Sequence, residues 1–310
     1  MVYGSIGAAG LLGCVWYGPV TFGLFFGAVQ AVMLREFYRM MRAGGNRPAT
    51  GVGIIVGVLI FVVINVFIVG YPDFAKLFGW PVGWTTYPPL SALPQAVPEQ
   101  SGPGAWATLM LTGDFSFPIV WFSGVGVFMV VLVLREIVLW PKQGQPFTNI
   151  GATVTGLLYV SLPMALLAHT AFGPEGYDYR RVFALLFLVW ASDIGAYAAG
   201  KTFGRRKLAP NISPAKTWEG WAGGFLLTLW VGWLLKFLRP DVPLPHLLTA
   251  AAVVAIFGPL GDLAESMLKR SVGVKDSGTF LPGHGGLLDR FDAFLLVLPV
   301  LALLQLLAGR

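Results

Sequence analysis

Apolar residues in this chain fall in runs too long for the core of a soluble fold. Nine stretches carry few or no charges, at about 2–17, 19–34, 51–70, 117–140, 150–172, 182–202, 217–238, 244–268 and 287–308. A helix rising about 1.5 Å per residue needs roughly 20 such residues to cross a bilayer. The pattern therefore predicts an all-α, polytopic membrane protein with about nine transmembrane helices. The first two runs are either separate spans or one long tilted helix broken near Gly18-Pro19. The first run follows Met1 without a basic segment, and so reads as a retained span, not a cleaved signal peptide. No fixed-period repeat or low-complexity tract interrupts the series. The segment 71–116, rich in Pro, Gly and Trp, is the plausible boundary between residues 1–116 and 117–310.

Composition agrees with the pattern. Of 310 residues, 56% are hydrophobic and only 12% charged, about half the charged share of a soluble domain. The net charge of +6 is placed in loops, which points to membrane orientation and not to nucleic-acid binding. Arg35, Arg39, Arg42 and Arg47 end or follow the second run; Lys201, Arg205, Arg206, Lys207 and Lys216 follow the sixth; Lys269, Arg270, Lys275 and Arg290 cluster around the loop after the eighth. Segment 71–116 has only Lys76 as a base. The basic loops are expected on the cytoplasmic side and 71–116 on the other. Nine spans then leave the N-terminus inside and the C-terminus outside. Cys14 is the only cysteine, which excludes an intrachain disulfide and a cysteine-based metal site.

Candidate chemistry lies in the last third. Five of the fifteen acids, Asp262, Glu265, Asp276, Asp289 and Asp292, fall between 262 and 292, among Lys269, Arg270, Lys275, His284 and Arg290. Charges at span ends are costly and therefore point to function. Asp262, Ser266, Lys269 and Arg270 share one helix face. Asp289 and Asp292 open the ninth run, and the Gly-rich turn Leu281-Pro-Gly-His-Gly-Gly286 lies between. Carboxylates from two adjoining helices beside such a turn suit a hard cation such as Mg²⁺. Asp193, an acid inside the sixth run, is a further candidate ligand or ion-pair partner. The eighth and ninth spans are expected to enclose a polar cavity open to the cytoplasm.

The basic stretch Lys201–Gly220 is the second cluster. Ser213-Pro214 reads as a helix start with Lys216 and Thr217 in its first turn, a natural phosphate site. Gly195–Thr202 (GAYAAGKT) fits the pattern GxxxxGK[ST], but it lacks the preceding strand that a P-loop needs and is rejected as one. His169 and Cys14 read as packing residues.

These residues carry a resemblance. Ser266–Asp292 (SMLKRSVGVKDSGTFLPGHGGLLDRFD) resembles the signature of the phosphatidate cytidylyltransferases, also called CDP-diacylglycerol synthases, and Asp193–Gly220 is similar to the segment before it. Ala215 stands where the family has a base. The N-terminal third resembles the family only in hydropathy and at Arg35-Glu36-Phe37. The resemblance implies Mg²⁺-dependent attack of phosphatidic acid on the α-phosphate of CTP, releasing CDP-diacylglycerol and pyrophosphate. It implies a polytopic, often dimeric enzyme of the cytoplasmic membrane, with its active site facing the cytoplasm and within 117–310. It also implies a metal centre on Asp262 and Asp289; Asp193 and Asp292 are further candidates, and a second cation, monovalent or divalent, fits the acid count. The candidate catalytic residues are Asp262, Asp289, Lys269, Arg270, Lys275, Asp276 and His284. Substrate binding falls to Ser213, Lys216, Thr217, Glu219, Arg205, Arg290, Gly285 and Gly286. Two rivals are weaker. A CDP-alcohol phosphatidyltransferase would need a DGxxAR motif, and an ion-coupled transporter would spread its intramembrane acids away from one face.

Overall fold

The computed structural model describes residues 2–65, 116–141, 144–173, 176–278 and 285–307. Nearly all of these are helical: α1 Val2–Tyr17, α2 Pro19–Ala43, α3 Thr50–Val63, α4 Ser116–Leu139, α5 Pro146–Ala171, α6 Tyr179–Phe203, α7 Trp218–Leu238, α8 Leu244–Ser271 and α9 Leu288–Leu307. Two short antiparallel hairpins complete the described residues, β1 Phe172–Gly173 with β2 Gly176–Tyr177, and β3 Lys207–Ala209 with β4 Ser213–Thr217. Local chemistry sets the helix starts. Pro19 and Pro146 occupy first-turn positions, where a missing N–H costs nothing. Asp178 caps α6 by accepting from Arg180 N, and Thr217 caps α7 by accepting from Gly220 N. Inside α5 a wide π-helical turn at Leu157–Ser161 precedes Pro163, which has no N–H to give the regular ladder.

Five helices are long and apolar enough to cross a membrane: α2, α5, α6, α7 and α8. The chain is thus a multi-pass membrane protein. The expected nine spans are not what length and hydropathy return among the described residues, although helices occupy the expected places. In α1 and α3 the apolar helices, Gly7–Tyr17 and Thr50–Val63, are shorter. The choice at Gly18-Pro19 resolves as two helices. Thr21 Oγ1 donates to Cys14 O and Gly18 O across the break, and α1 and α2 line one cavity.

The rejected P-loop match has a packing role. A Cβ on Gly195 would lie 2.7 Å from Gly223 O and 2.9 Å from Gly224 Cα, and one on Gly220 would lie 2.8 Å from Ala196 O. Small residues let the backbones of α6 and α7 touch, the usual means of helix association where lipid removes the hydrophobic drive. The α8–α9 pair is closed in the same way, since a Cβ on Gly261 would sit 2.5 Å from Asp292 O. The buried core draws on α2, α5, α6, α8 and α9. The expected boundary, 71–116, lies outside the described residues, and helices from both sides of it share this core.

The bundle has two ends. At one, Tyr177 OH donates to Val15 O at 2.5 Å. There Arg239, only 4% exposed, bridges the α6 cap Asp178 at 3.0 Å and Asp241 at 2.7 Å. That guanidinium holds the Asp241 carboxyl down at about 2. The other end gathers the end of α2, the β3–β4 hairpin, the end of α8 and the start of α9. There a Cβ on Gly44 would touch Val272, Glu36 reaches Leu288, and Lys216 reaches Asp262. The three basic loops 35–50, 201–216 and 269–286 therefore share one side wherever they are described.

Candidate active site

The acids and bases of the last third make two sets of direct contacts, with Asp292 coupled electrostatically to both. In the first, Lys269 Nζ lies 2.9 Å from Glu265 Oε2 and 2.7 Å from Asp289 Oδ1. Asp289 Oδ2 accepts from Ser277 N at 3.2 Å, Ser277 Oγ at 2.9 Å and Gly286 N at 2.8 Å. Gly285 has φ +79°, and a Cβ there would meet that carboxylate at 2.7 Å; only glycine takes this turn without strain. Glu36, from α2, accepts from Leu288 N at 2.8 Å. Glu36 and Glu265 are the acids that sequence reading left out of the site. The signals were there: Glu265 is one helical turn before Lys269, and Glu36 lies in an Arg-Glu pair at a span end.

In the second group Lys216 Nζ pairs with Asp262 Oδ2 at 2.7 Å and donates to Pro259 O at 3.2 Å. Ser266 Oγ donates to Asp262 Oδ1 at 3.2 Å. Asp193 and Asp292 lie near enough to repel Asp262 and to be offset by Lys216. The Asp262 side chain is 44% exposed, so it faces open space and not a sealed helix pair.

Beside these groups lies a cavity of about 610 Å³ between α1, α2, α6 and α9. Its walls are mostly apolar, including Leu11, Phe25, Val29, Val189 and Phe294, and it carries Asp193, Asp289, Arg290 and Asp292. Where a polar cavity is expected between the eighth and ninth spans, Gly261 packs against the Asp292 backbone; the cavity described here lies on the other flank of α9.

One local expectation changes. Ser213-Pro214 does not start a helix. Ser213–Thr217 pairs with Lys207–Ala209 as a hairpin, and α7 begins at Trp218 behind the Thr217 cap. Thr217 is thereby occupied as a cap. The Glu219 carboxylate is engaged by the backbone N–H groups of Arg205 and Arg206, so it shapes the basic loop. Asp262 and Asp289 have different direct partners: Asp262 pairs with Lys216, and Asp289 with Lys269, Ser277 and Gly286 N. Among the other candidates, Arg205, Arg270, Lys275, Asp276 and Arg290 are exposed at this end of the bundle, Ser213 is partly so, and Gly286 is buried. His284 lies outside the described residues.

The donor set fits Mg²⁺ in kind: carboxylates and a hydroxyl, with three acids around Lys216. Among the described residues no three His, Cys, Asp or Glu side chains stand ready as a metal cage. That suits a cation held by one or two carboxylates and completed by substrate phosphates.

Comparison with known proteins agrees with this chemistry. The cytidylyltransferase family model matches residues 1–307, and the chain belongs to that family. It is 40% identical over 179 residues to the phosphatidate cytidylyltransferase of Bacillus subtilis (strain 168), covering 57% of this chain and 65% of the relative. It is 42% identical over 173 residues to that of Staphylococcus saprophyticus, covering 56% and 65%. With that of Staphylococcus aureus (strain COL) it shares 41% over 177 residues, covering 57% and 66%. The match thus spans just under two thirds of each curated relative's length.

Proposed function

We propose that this member of the cytidylyltransferase family transfers a cytidylyl group from CTP to phosphatidate, giving CDP-diacylglycerol and pyrophosphate. The observation that carries the reading is the amphipathic cavity. Its apolar walls suit acyl chains, and Arg290 with the carboxylates of α6 and α9 suits a phosphate headgroup bridged by a cation.

In the reaction a lipid phosphate oxygen attacks the α-phosphorus of CTP. The bond from that phosphorus to the β-bridging oxygen breaks, and pyrophosphate leaves with the electron pair. A phosphate nucleophile is already ionised, so the protein's task is alignment and charge neutralisation, with no general base required. Lys269 is already offset by Glu265 and Asp289. Charge on the triphosphate is assigned to the exposed Arg205, Arg270 and Lys275, and to Lys216 once its partner Asp262 engages the cation. Asp262, with Asp193 and Asp292 beside it, would hold Mg²⁺, which when bound would supply positive charge to offset the phosphates. Asp289 would act by fixing Ser277, Gly286 and Lys269.

The basic loops support a cytoplasmic orientation of this face, the side from which CTP arrives. A homodimer in the cytoplasmic membrane completes the reading and is testable by the mass of the purified detergent complex. The decisive experiment incubates purified protein with phosphatidate vesicles, Mg²⁺ and CTP labelled at the α-phosphate. Label should enter the lipid fraction with release of pyrophosphate, and its absence would overturn the proposal. The transporter alternative is not favoured, and it predicts no such label.

A further inference from the structure

The buried acid Glu36 belongs to α2, far in sequence from the signature segment, yet it touches that segment directly. Its side chain is 6% exposed. Its Oε2 accepts from Leu288 N at 2.8 Å and lies 3.5 Å from Ser277 Oγ. Leu288 is the first residue of α9 and the neighbour of Asp289. Ser277 gives both its N–H and its hydroxyl to Asp289. One carboxylate thus sits against both Ser277 and the first N–H of α9, where negative charge is favoured.

The glycines of the segment are shaped around this side chain. A Cβ on Gly286 would lie 2.6 Å from Glu36 Oε2, and one on Gly278 would lie 2.7 Å from Glu36 Cδ. At Gly278 the missing side chain is where Glu36 sits, and at Gly286 it is where Ser277 Oγ and Glu36 sit together. Two carboxylates, Glu36 and Asp289, are held near each other despite their repulsion. Ser277 lies between them, and Lys269 neutralises only the second.

We propose that Glu36 is a positioning residue for cytidylyl transfer, clamping Ser277 and Gly278 to Gly286 and the start of α9 so that Asp289 and Lys269 keep their register. The inference rests on the proposed reaction for its kinetic readout. It makes α2 part of the active-site scaffold, not merely a membrane anchor. A displacement of about 1 Å at a reacting centre typically costs on the order of 10²-fold in rate. Glu36→Ala should therefore lower kcat by about that factor, with KM for CTP changed less than about threefold. Glu36→Gln keeps an acceptor for Leu288 N and should recover most of the loss. Ser277→Ala combined with Glu36→Ala should lose no more than the worse single variant, because both act through the same turn.

The test measures kcat per folded protein, with folded amount read from size-exclusion recovery in detergent. A Glu36→Ala protein that folds and turns over normally would overturn the proposal. So would losses in the double variant that multiply in full. If Glu36→Ala fails to fold, the comparison passes to Glu36→Gln and Ser277→Ala. If the wild type transfers no cytidylyl group, the proposed function fails. The clamp is then read by hydrogen exchange, where Glu36→Ala should speed exchange at Leu288 and Glu36→Gln should largely restore protection, and unchanged protection in Glu36→Ala would overturn it.

Discussion

Lys216 and Asp262 meet at 2.7 Å, although one belongs to a β-hairpin strand and the other to a transmembrane helix. The pair fastens the basic loop onto the acidic face of α8. Its side chains are 22% and 44% exposed, so it contributes at most about 1 kcal/mol to stability. Lys216→Ala should hold its melting temperature within a few degrees while raising the apparent KM for CTP about tenfold or more, as loss of a charge-assisted phosphate contact does. A change confined to KM for phosphatidate would move this lysine to the lipid headgroup.

The two aspartates expected at one centre should separate by experiment. Asp262→Asn should reduce turnover about 10²-fold or more and raise the Mg²⁺ requirement, with thermal stability nearly unchanged. Asp289→Asn breaks a 13%-exposed pair with Lys269 and weakens three further hydrogen bonds. It should destabilise the protein by about 3 kcal/mol as well as lower turnover. Thermal unfolding in detergent beside initial rates across a Mg²⁺ titration gives both readings. Equal destabilisation by the two variants would assign Asp262 to the structural group.

Close packing of α6 on α7 predicts the fate of the P-loop-like stretch. Gly195→Val should lower the yield of folded protein, since the added carbons meet the Gly223 and Gly224 backbone. Gly51→Ala, in open space, should not. Lys201→Ala should retain activity within about threefold, because Lys201 sits 5.7 Å from the Tyr197 ring centre in a pairing of about 0.5–1 kcal/mol at an exposed site. A true P-loop lysine would be indispensable.

The clasp at the opposite end carries a pH signature. Asp241 is held at about 2, against an ordinary value of 3.8, chiefly by its hydrogen bond from Arg239. A depressed carboxyl contributes stability that is fully present above the ordinary value and lost as pH falls through the folded value. The difference in melting temperature between wild type and Asp241→Asn should be flat above pH about 4 and shrink towards pH about 2. A difference that grows below pH 4 would contradict this.

Orientation is open to thiol labelling in a Cys14→Ala background. Pro240→Cys, exposed at the clasp end, should react with an impermeant reagent on intact cells. Arg206→Cys, exposed at the site end, should react only after lysis. The reverse pattern would invert the proteins's placement in the membrane.

Much of this protein was legible along the chain because the bilayer imposes a one-dimensional constraint. Apolar length and the placement of Arg and Lys need no knowledge of contacts, so the helices, the shared side of the basic loops and the acidic segment 262–292 could be read directly. The resemblance rested on the same local string. Tertiary structure decided the pairing. Whether Asp289 turns to Asp262 or to Lys269 depends on side-chain direction at a helix end, which spacing leaves open. Ser213-Pro214 carries a helix-start pattern, yet pairing with Lys207–Ala209 overrode that local preference. That a cavity lies on the α1–α2–α6 flank of α9 follows from how those helices pack, which hydropathy does not encode. Glu36 is the clearest case. Its role comes from a contact with Leu288 that no local pattern encodes, and only the folded bundle brings the two together.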